Sequence, residues 1–529
     1  LYHDARAPEL AIDSRESFAY NRVVMAQDPG LETRRVVTLS ELAARFDRSS
    51  LAGQFVLARS PEAVPPGWAV HEARGWVLAV HPALPVYTMR AVDGSGIGWL
   101  LGFPIDAAGR WVDADMVLAQ GPDPSPGEFE ERLYELGGQF LGVLLTPGIE
   151  RVYLDCAGSL SAVFAPSHEL VASTPSLIPF SRGCEDAIDL IRATGLPAAR
   201  NDLSFALAFG LTSRRGVERL LPNHALDLRD WSVKRHWPPA PLDDRADPRA
   251  VVEGVARIIE RHIAATVTRR PAYLPLTGGY DSRTLLACAR SCLDAIHLHT
   301  LALGDRTAHF DIAMARQLAR RHGLRHEVIE CEAPGAEEQD AWLWRTGLCV
   351  GGARGWRVFR TMQRFDPARV ELTGQGGEAA RASYWRDLGG DKSPLTEHAV
   401  VRALVLPPLP EILARARTWL DTLPASRFMH VVDLVYIEQR LGPWAGVVNY
   451  GDAAPARLYP FAHRASFTAM LRLPDEYKQS GQFPRELIAS RWPELLQDPF
   501  NRLPGWRHYA YRAKRRVWLA RRALGIGTP

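Results

Sequence analysis

Cysteine is scarce in this chain. Six residues among 529 (Cys156, Cys184, Cys288, Cys292, Cys331 and Cys349) include no Cys-x-x-Cys pair, which argues against a disulfide framework and a thiolate zinc site and leaves reduced, mostly buried thiols. Excess charge of one sign is also lacking. Lys plus Arg number 63 against 60 for Asp plus Glu, a net charge of +3, so no global field draws in nucleic acid or an anionic membrane. The chain has no uninterrupted apolar run of about 18 residues and no charged-then-apolar leader. These absences predict a cytoplasmic protein with no membrane span and no nucleic-acid partner. Internal repeats and low-complexity tracts are missing too. The length suits two or three packed domains.

What is present changes character along the chain. Residues 1 to about 180 carry short β-rich segments separated by turns: 75–80, 99–103, 139–145, 151–156 and 169–174. Asp and Gly supply the turn chemistry in DGSG at 93–96 and DCAG at 155–158. GSGIG at 94–98 is no dinucleotide fingerprint, because no helical pattern follows it. The Pro-rich, polar stretch 237–250 sustains neither helix nor central strand and reads as a linker between a β-rich domain, 1–236, and a second domain, 251–529.

Beyond 249 the pattern alternates: helix 249–268, strand 272–277, helix 281–292, strand 295–303, helix 309–322, strand 325–330. Such alternation predicts right-handed βαβ crossovers and an α/β domain with a parallel, helix-flanked sheet. Further helices are expected at 338–347, 353–364, 397–420 and 427–441, and a strand at 369–373. The basic tail 511–524 reads as a solvated or docked terminal helix.

The segment AYLPLTGGYDSRTLLACA, 272–289, carries the most chemistry. A strand runs into Thr277, Gly278, Gly279, Tyr280, Asp281 and Ser282 and on into a helix. Two adjacent glycines let successive N–H groups converge on one anion, and the helix dipole favours negative charge there. The hydroxyls of Thr277 and Ser282 add donors. Asp281 is anionic and cannot help a bare phosphate, so its natural partner is Mg2+ bridging to phosphate oxygens. The loop is not a Walker A sequence, since no GxxxxGK[ST] is present.

The loop resembles the SGGxDS loop of the ATP-pyrophosphatase (PP-loop) superfamily, with Thr277 in the first Ser position. Within it the chain resembles the asparagine-synthetase group, which includes β-lactam synthetases and lasso-peptide cyclases. Residues 299–330 are similar to that family's second strand, acidic-plus-helix segment around Asp311, and third strand. LTGQGGEAARASYW (372–385) sits where the family has SGxGxDE, and RLYPFAHRASF (457–467) is similar to its RxPFLD segment. Upstream, 138–165 resembles the family's glutaminase half, and 216–228 the connection between the halves.

The resemblance implies a PP-loop domain with a helical C-terminal part, preceded by a β-rich domain like the N-terminal-nucleophile hydrolases. ATP is then bound by Leu276, Thr277, Gly278, Gly279, Tyr280, Asp281, Ser282, Leu303, Thr373 and Gly374, with Mg2+ on Asp281 and Glu378. The family's acid/base Glu maps to Gln375, which exchanges no proton at neutral pH, so classical asparagine synthesis is in doubt. The family's Lys near the C-terminal end maps to Lys478 or Arg485, and Arg283 and Arg381 are further cations beside the two turns. The sequence opens Leu1, Tyr2, His3 instead of the Cys a class II glutaminase needs, so this half is expected to be a structural or docking remnant.

The implied activity is ATP-dependent adenylation of a small-molecule or peptide carboxylate and its capture by an amine, intermolecular or ring-closing. Three alternatives stand beside it: a glutamine-independent asparagine synthetase-like amidotransferase, a non-catalytic ATP-binding regulator, and an RNA-modifying PP-loop enzyme, which would want a basic face. A homodimer is compatible with the reading.

Overall fold

In the run GGQFLGVLL, Gly137–Leu145, every residue is buried, yet the side chains alternate between two cores. Leu141, Val143 and Leu145 enter one, and Phe140 and Leu144 the other, the period of two that a strand imposes. This strand is the centre of a seven-stranded sheet, ordered Val233–Arg235, His224–Asp227, Glu150–Leu154, Gly137–Leu145, Gly96–Ile105, Val86–Ala91 and Met116–Ala119. A six-stranded sheet lies against it, ordered Glu218–Leu220, Ala162–Ala165, Leu170–Ala172, Phe55–Ala58, Trp76–Val80 and Ala69–Ala73. Neighbours pair antiparallel except Val86–Ala91 with Met116–Ala119. The structure, a computed structural model, describes residues 37–194, 205–304, 306–351, 353–382, 395–404, 406–424, 427–452 and 455–500. Leu1, Tyr2, His3 and the basic tail 511–524 lie outside the described residues.

The two sheets meet through Phe55, Leu57, Trp76, Leu78, Trp99, Leu101, Leu141 and Val143. The helix Pro126–Tyr134 covers the outer face of the seven-stranded sheet with Phe129 and Leu133. Outside the six-stranded sheet, Val56, Ala58, Val163 and Ala172 pack on Trp342, Leu343, Trp344 and Phe359, which belong to the second half of the chain. The halves are therefore joined by a continuous apolar core. Cys156 is buried in the neighbouring core, where burial pushes its thiol up to about 12.

A second architecture begins at the helix α1, Pro248–Arg269. Asp247 caps it by accepting from the N–H groups of Arg249 and Ala250, and Pro248 occupies the first turn. The last residues of the expected linker thus belong to this helix. Its buried stripe, Val251, Val255, Ile259, His262, Ile263 and Thr266, follows helical spacing. Then come β1 (Ala272–Pro275), α2 (Tyr280–Cys288), β2 (Ile296–Ala302), α3 (Arg306–His322), β3 (His326–Glu330), α4 (Ala336–Arg345), α5 (Ala353–Met362), β4 (Val370–Leu372) and β5 (Ala456–Leu458). The five strands form one parallel sheet ordered β3-β2-β1-β4-β5. The order reverses between β1 and β4, and ligands of open α/β sheets bind at the carboxyl ends beside such a switch point.

Three helices differ from expectation. The helix expected over 281–292 stops at Cys288 and a 3-10 turn follows, with Cys292 out of helical geometry. The one expected over 397–420 is two, Glu397–Ala403 and Pro410–Asp421. Pro407, Pro408 and Pro410 lie at the break, where each removes a backbone donor. The one expected over 427–441 starts at Phe428 and continues through a wide π-helical stretch, Val435–Gly446, to Asp452. Among the described residues no helix is long and apolar enough to cross a membrane.

The π stretch carries a buried polar knot. Glu438, fully buried, accepts from Arg235 (2.6 and 2.8 Å), Asn223 (2.7 Å) and Trp419 (2.7 Å), and Arg464 donates to Asn223 at 2.7 Å. Burial alone would raise the Glu438 carboxyl, but Arg235 outweighs it and the group lies below its ordinary range. This network ties Asn223 and Arg235, from the end of the β-rich half, to the helices of the second half.

Candidate functional site

Directly after β1, Leu276 is pinned to β2: its N–H donates to the His299 carbonyl at 2.7 Å, and its own carbonyl accepts from the Thr300 hydroxyl at 2.6 Å. The next turn folds on itself. The hydroxyls of Thr277 and Ser282 lie 2.8 Å apart, the Thr277 N–H donates to Ser282 at 3.2 Å, and the Gly279 N–H donates to the Thr277 hydroxyl at 3.2 Å. The Gly278 N–H donates to Asp311 of α3 at 2.9 Å. A Cβ at Gly278 would lie 2.6 Å from the Phe310 ring, so the close approach of α3 requires glycine. Gly279 is the N-cap of α2 and no side chain caps it, leaving the start of that helix suited to an anion.

The turn after β4 closes over this loop. Thr373 donates its N–H to the Leu458 carbonyl of β5 at 3.0 Å. Added Cβ atoms at Gly374 and Gly377 would lie 2.5 Å from the Asp281 Cβ and 2.5 Å from its Oδ1. Both glycines are thus needed for the two turns to meet. Glu378 follows on a short 3-10 turn, Gly377–Ala380. The Tyr436 hydroxyl, from the π stretch, donates to Glu378 Oε2 at 2.5 Å and accepts from the Gly376 N–H at 3.0 Å. One residue beyond that turn stands Arg381, whose Nη2 lies 2.8 and 2.7 Å from the two oxygens of Asp281 and 3.6 Å from Glu378. Its recessed position raises the Asp281 carboxyl, Arg381 opposes this, and Glu378 adds to it.

Among the described residues, the two carboxylates therefore share the charge of Arg381. Hard oxygen donors of this kind suit Mg2+, which takes one or two carboxylates together with substrate phosphates. Among the described residues, the buried side-chain oxygens of Thr373 and Gln375 have no hydrogen-bond partner. Unsatisfied groups of this kind, beside the carboxylates, fit a site that receives a polar ligand. Among the described residues no three His, Cys, Asp or Glu side chains gather as a metal cluster.

Residues 255–434 match the asparagine synthase family. No curated protein matches the chain. Asparagine synthase domains belong to ATP-dependent ligases that form carbon–nitrogen bonds. Within the matched residues, the structure brings together the turn Thr277, Gly278, Gly279, Tyr280, Asp281 and Ser282 with the turn Thr373, Gly374, Gln375 and Glu378.

The expected cations divide. Arg485, on the helix Gln482–Arg491, reaches the loop and donates to the Tyr280 hydroxyl at 3.3 Å. Lys478 is fully buried, 2.6 Å from Asp433 and 2.8 Å from the Leu471 carbonyl. Arg283 is committed to backbone carbonyls. It is buried and donates to the carbonyls of Leu495 (3.3 Å), Asp498 (2.6 Å) and Pro499 (3.1 Å), with Phe500 over its guanidinium at 4.0 Å. Phe500 in turn stacks on Tyr280 at 4.3 Å. Leu303 is buried and its carbonyl accepts from Arg357 at 3.1 Å. Sequence reasoning missed Tyr436 altogether: it lies on a distant helix and no local motif marks it.

Proposed function

We propose that the chain is an ATP-dependent amide-forming ligase that adenylates a substrate carboxylate. The observation that carries this reading is the meeting of the uncapped α2 loop with the Glu378 turn over Asp281. A carboxylate oxygen attacks the α-phosphorus of ATP, the bond to the β-phosphate breaks, and pyrophosphate leaves. An amine then attacks the acyl carbon, loses a proton, and AMP departs with one former carboxylate oxygen. Asp281 and Glu378 would hold Mg2+, which supplies charge neutralisation for the departing pyrophosphate.

The chain's own groups do the rest. The N–H groups at the start of α2 cradle the phosphates, and the Thr277 and Ser282 hydroxyls orient there. Arg485, next to Tyr280, offsets charge at the outer edge of the loop. Gln375 has an amide where the family's acid/base carboxylate stands, so it orients the substrate and moves no proton. This favours a nucleophile that arrives as a free amine, from a small molecule, from a peptide, or from the substrate itself in a ring closure.

The fate of the nucleotide tests the proposal. With Mg·ATP and a panel of carboxylates and amines, AMP and pyrophosphate should appear in equal amounts and only when a carboxylate is present. ADP and phosphate as products would overturn the ligase reading, and nucleotide binding with no product across the panel would favour a regulator.

A further inference from the structure

We propose that Arg381 is a tethered counter-cation: without nucleotide it fills the place between Asp281 and Glu378 that a divalent metal takes with ATP, and with nucleotide it moves onto the phosphates. This rests on the ATP site of the ligase reading and concerns how that site is loaded. Two observations carry it. One guanidinium nitrogen touches both oxygens of Asp281 and stands 3.6 Å from Glu378, so the face that the two carboxylates share is already occupied. The side chains are only 18% (Arg381), 25% (Asp281) and 29% (Glu378) exposed, so water screens the three charges poorly.

The charge balance requires a resident cation. Two recessed carboxylates held side by side by glycine contacts repel each other, and a buried charge without a partner is costly. Arg381 removes that cost when no metal is present. A guanidinium and a divalent cation on the same carboxylate oxygens would repel in turn, so the two exclude each other at Asp281.

Arg381 also has somewhere to go. Its other described contacts are a long one from Nε to the Gly377 carbonyl, 3.4 Å, and the face of Tyr280 at 5.7 Å. Tyr280 is the first residue of α2, so the guanidinium already lies beside the helix start that awaits phosphate. ATP gives Arg381 a new anionic partner and frees Asp281 for the metal. Metal and nucleotide then bind with positive coupling, and that coupling is reciprocal.

Mn2+ binding to the full chain, followed by electron paramagnetic resonance, tests this without turnover. Without nucleotide, Arg381→Gln should bind Mn2+ about tenfold more tightly than wild type, a difference of about 1.4 kcal/mol. Addition of α,β-methylene-ATP, whose phosphate oxygens ligate the metal in both proteins, should strengthen Mn2+ binding by a larger factor in wild type than in the variant. Circular dichroism reports whether the variant folds, and Arg381→Met, which keeps the aliphatic stem and carries no charge, decides the matter if Gln does not. Mn2+ affinity equal to or weaker than wild type in a folded variant overturns the proposal. Because the readout needs no product, it separates failure of this inference from failure of the ligase reading.

Discussion

Asp281→Ala is expected to lower carboxylate-dependent AMP formation by at least about 100-fold, the scale on which loss of one preorganised electrostatic group is felt, while the protein remains folded. The first half follows from position. Asp281 belongs to α2, and the glycines of the second turn close directly on it. The second half follows from what remains. Arg381 loses its near partner but keeps Glu378 at 3.6 Å, so no guanidinium is left without a countercharge. Single-turnover AMP release together with a thermal melt checks both halves. Asp281→Asn should lose as much, because it keeps the shape and removes the charge. A loss below threefold in either variant would contradict the assignment.

Lys478→Met is expected to act on the fold instead. The ammonium is fully buried and committed to Asp433 and the Leu471 carbonyl. Burial pushes the Asp433 carboxyl up to about 6, with Lys478 pulling the other way. Removal of one partner of a buried pair leaves the other uncompensated, which typically costs about 3–5 kcal/mol. Denaturant unfolding should register that loss. Removal of both charges in the double variant Lys478→Met, Asp433→Leu should restore most of it, since well-packed apolar pairs replace buried ion pairs at little cost. If Lys478→Met leaves stability unchanged and abolishes AMP formation, the ammonium belongs to the chemistry after all.

The contrast between these two residues shows what could be read from the amino-acid sequence. The loop from Leu276 to Ser282 was legible because everything it needs is local: a strand, two glycines, an acid and a helix start within a few residues. The β1–β2–β3 alternation was legible for the same reason, because apolar period and turn residues agree. The direction in which a long cation points is decided by tertiary packing. Lys478 and Arg485 look equivalent in the sequence, yet one lies inside beside Asp433 and the other reaches Tyr280.

Contacts across long stretches of chain left even less trace. Tyr436 is 58 residues from Glu378, on the π-helical stretch, and nothing near it in sequence marks it. Arg381 was visible as a cation beside the second turn, but its one-nitrogen hold on both oxygens of Asp281 depends on Gly374 and Gly377 and on the pairing of β1 with β4. The broken helix at 397–420 is a different matter. Pro407, Pro408 and Pro410 announce the break, and the apolar spacing on either side concealed it.

The central claim is that a carboxylate oxygen attacks the α-phosphorus of ATP, and an isotope label follows that oxygen most directly. With a carboxylate substrate enriched in oxygen-18, mass spectrometry of the products should find one label in AMP and none in pyrophosphate. Label in inorganic phosphate, or in neither nucleotide product while amide forms, would contradict adenylation and with it the account of the site given above.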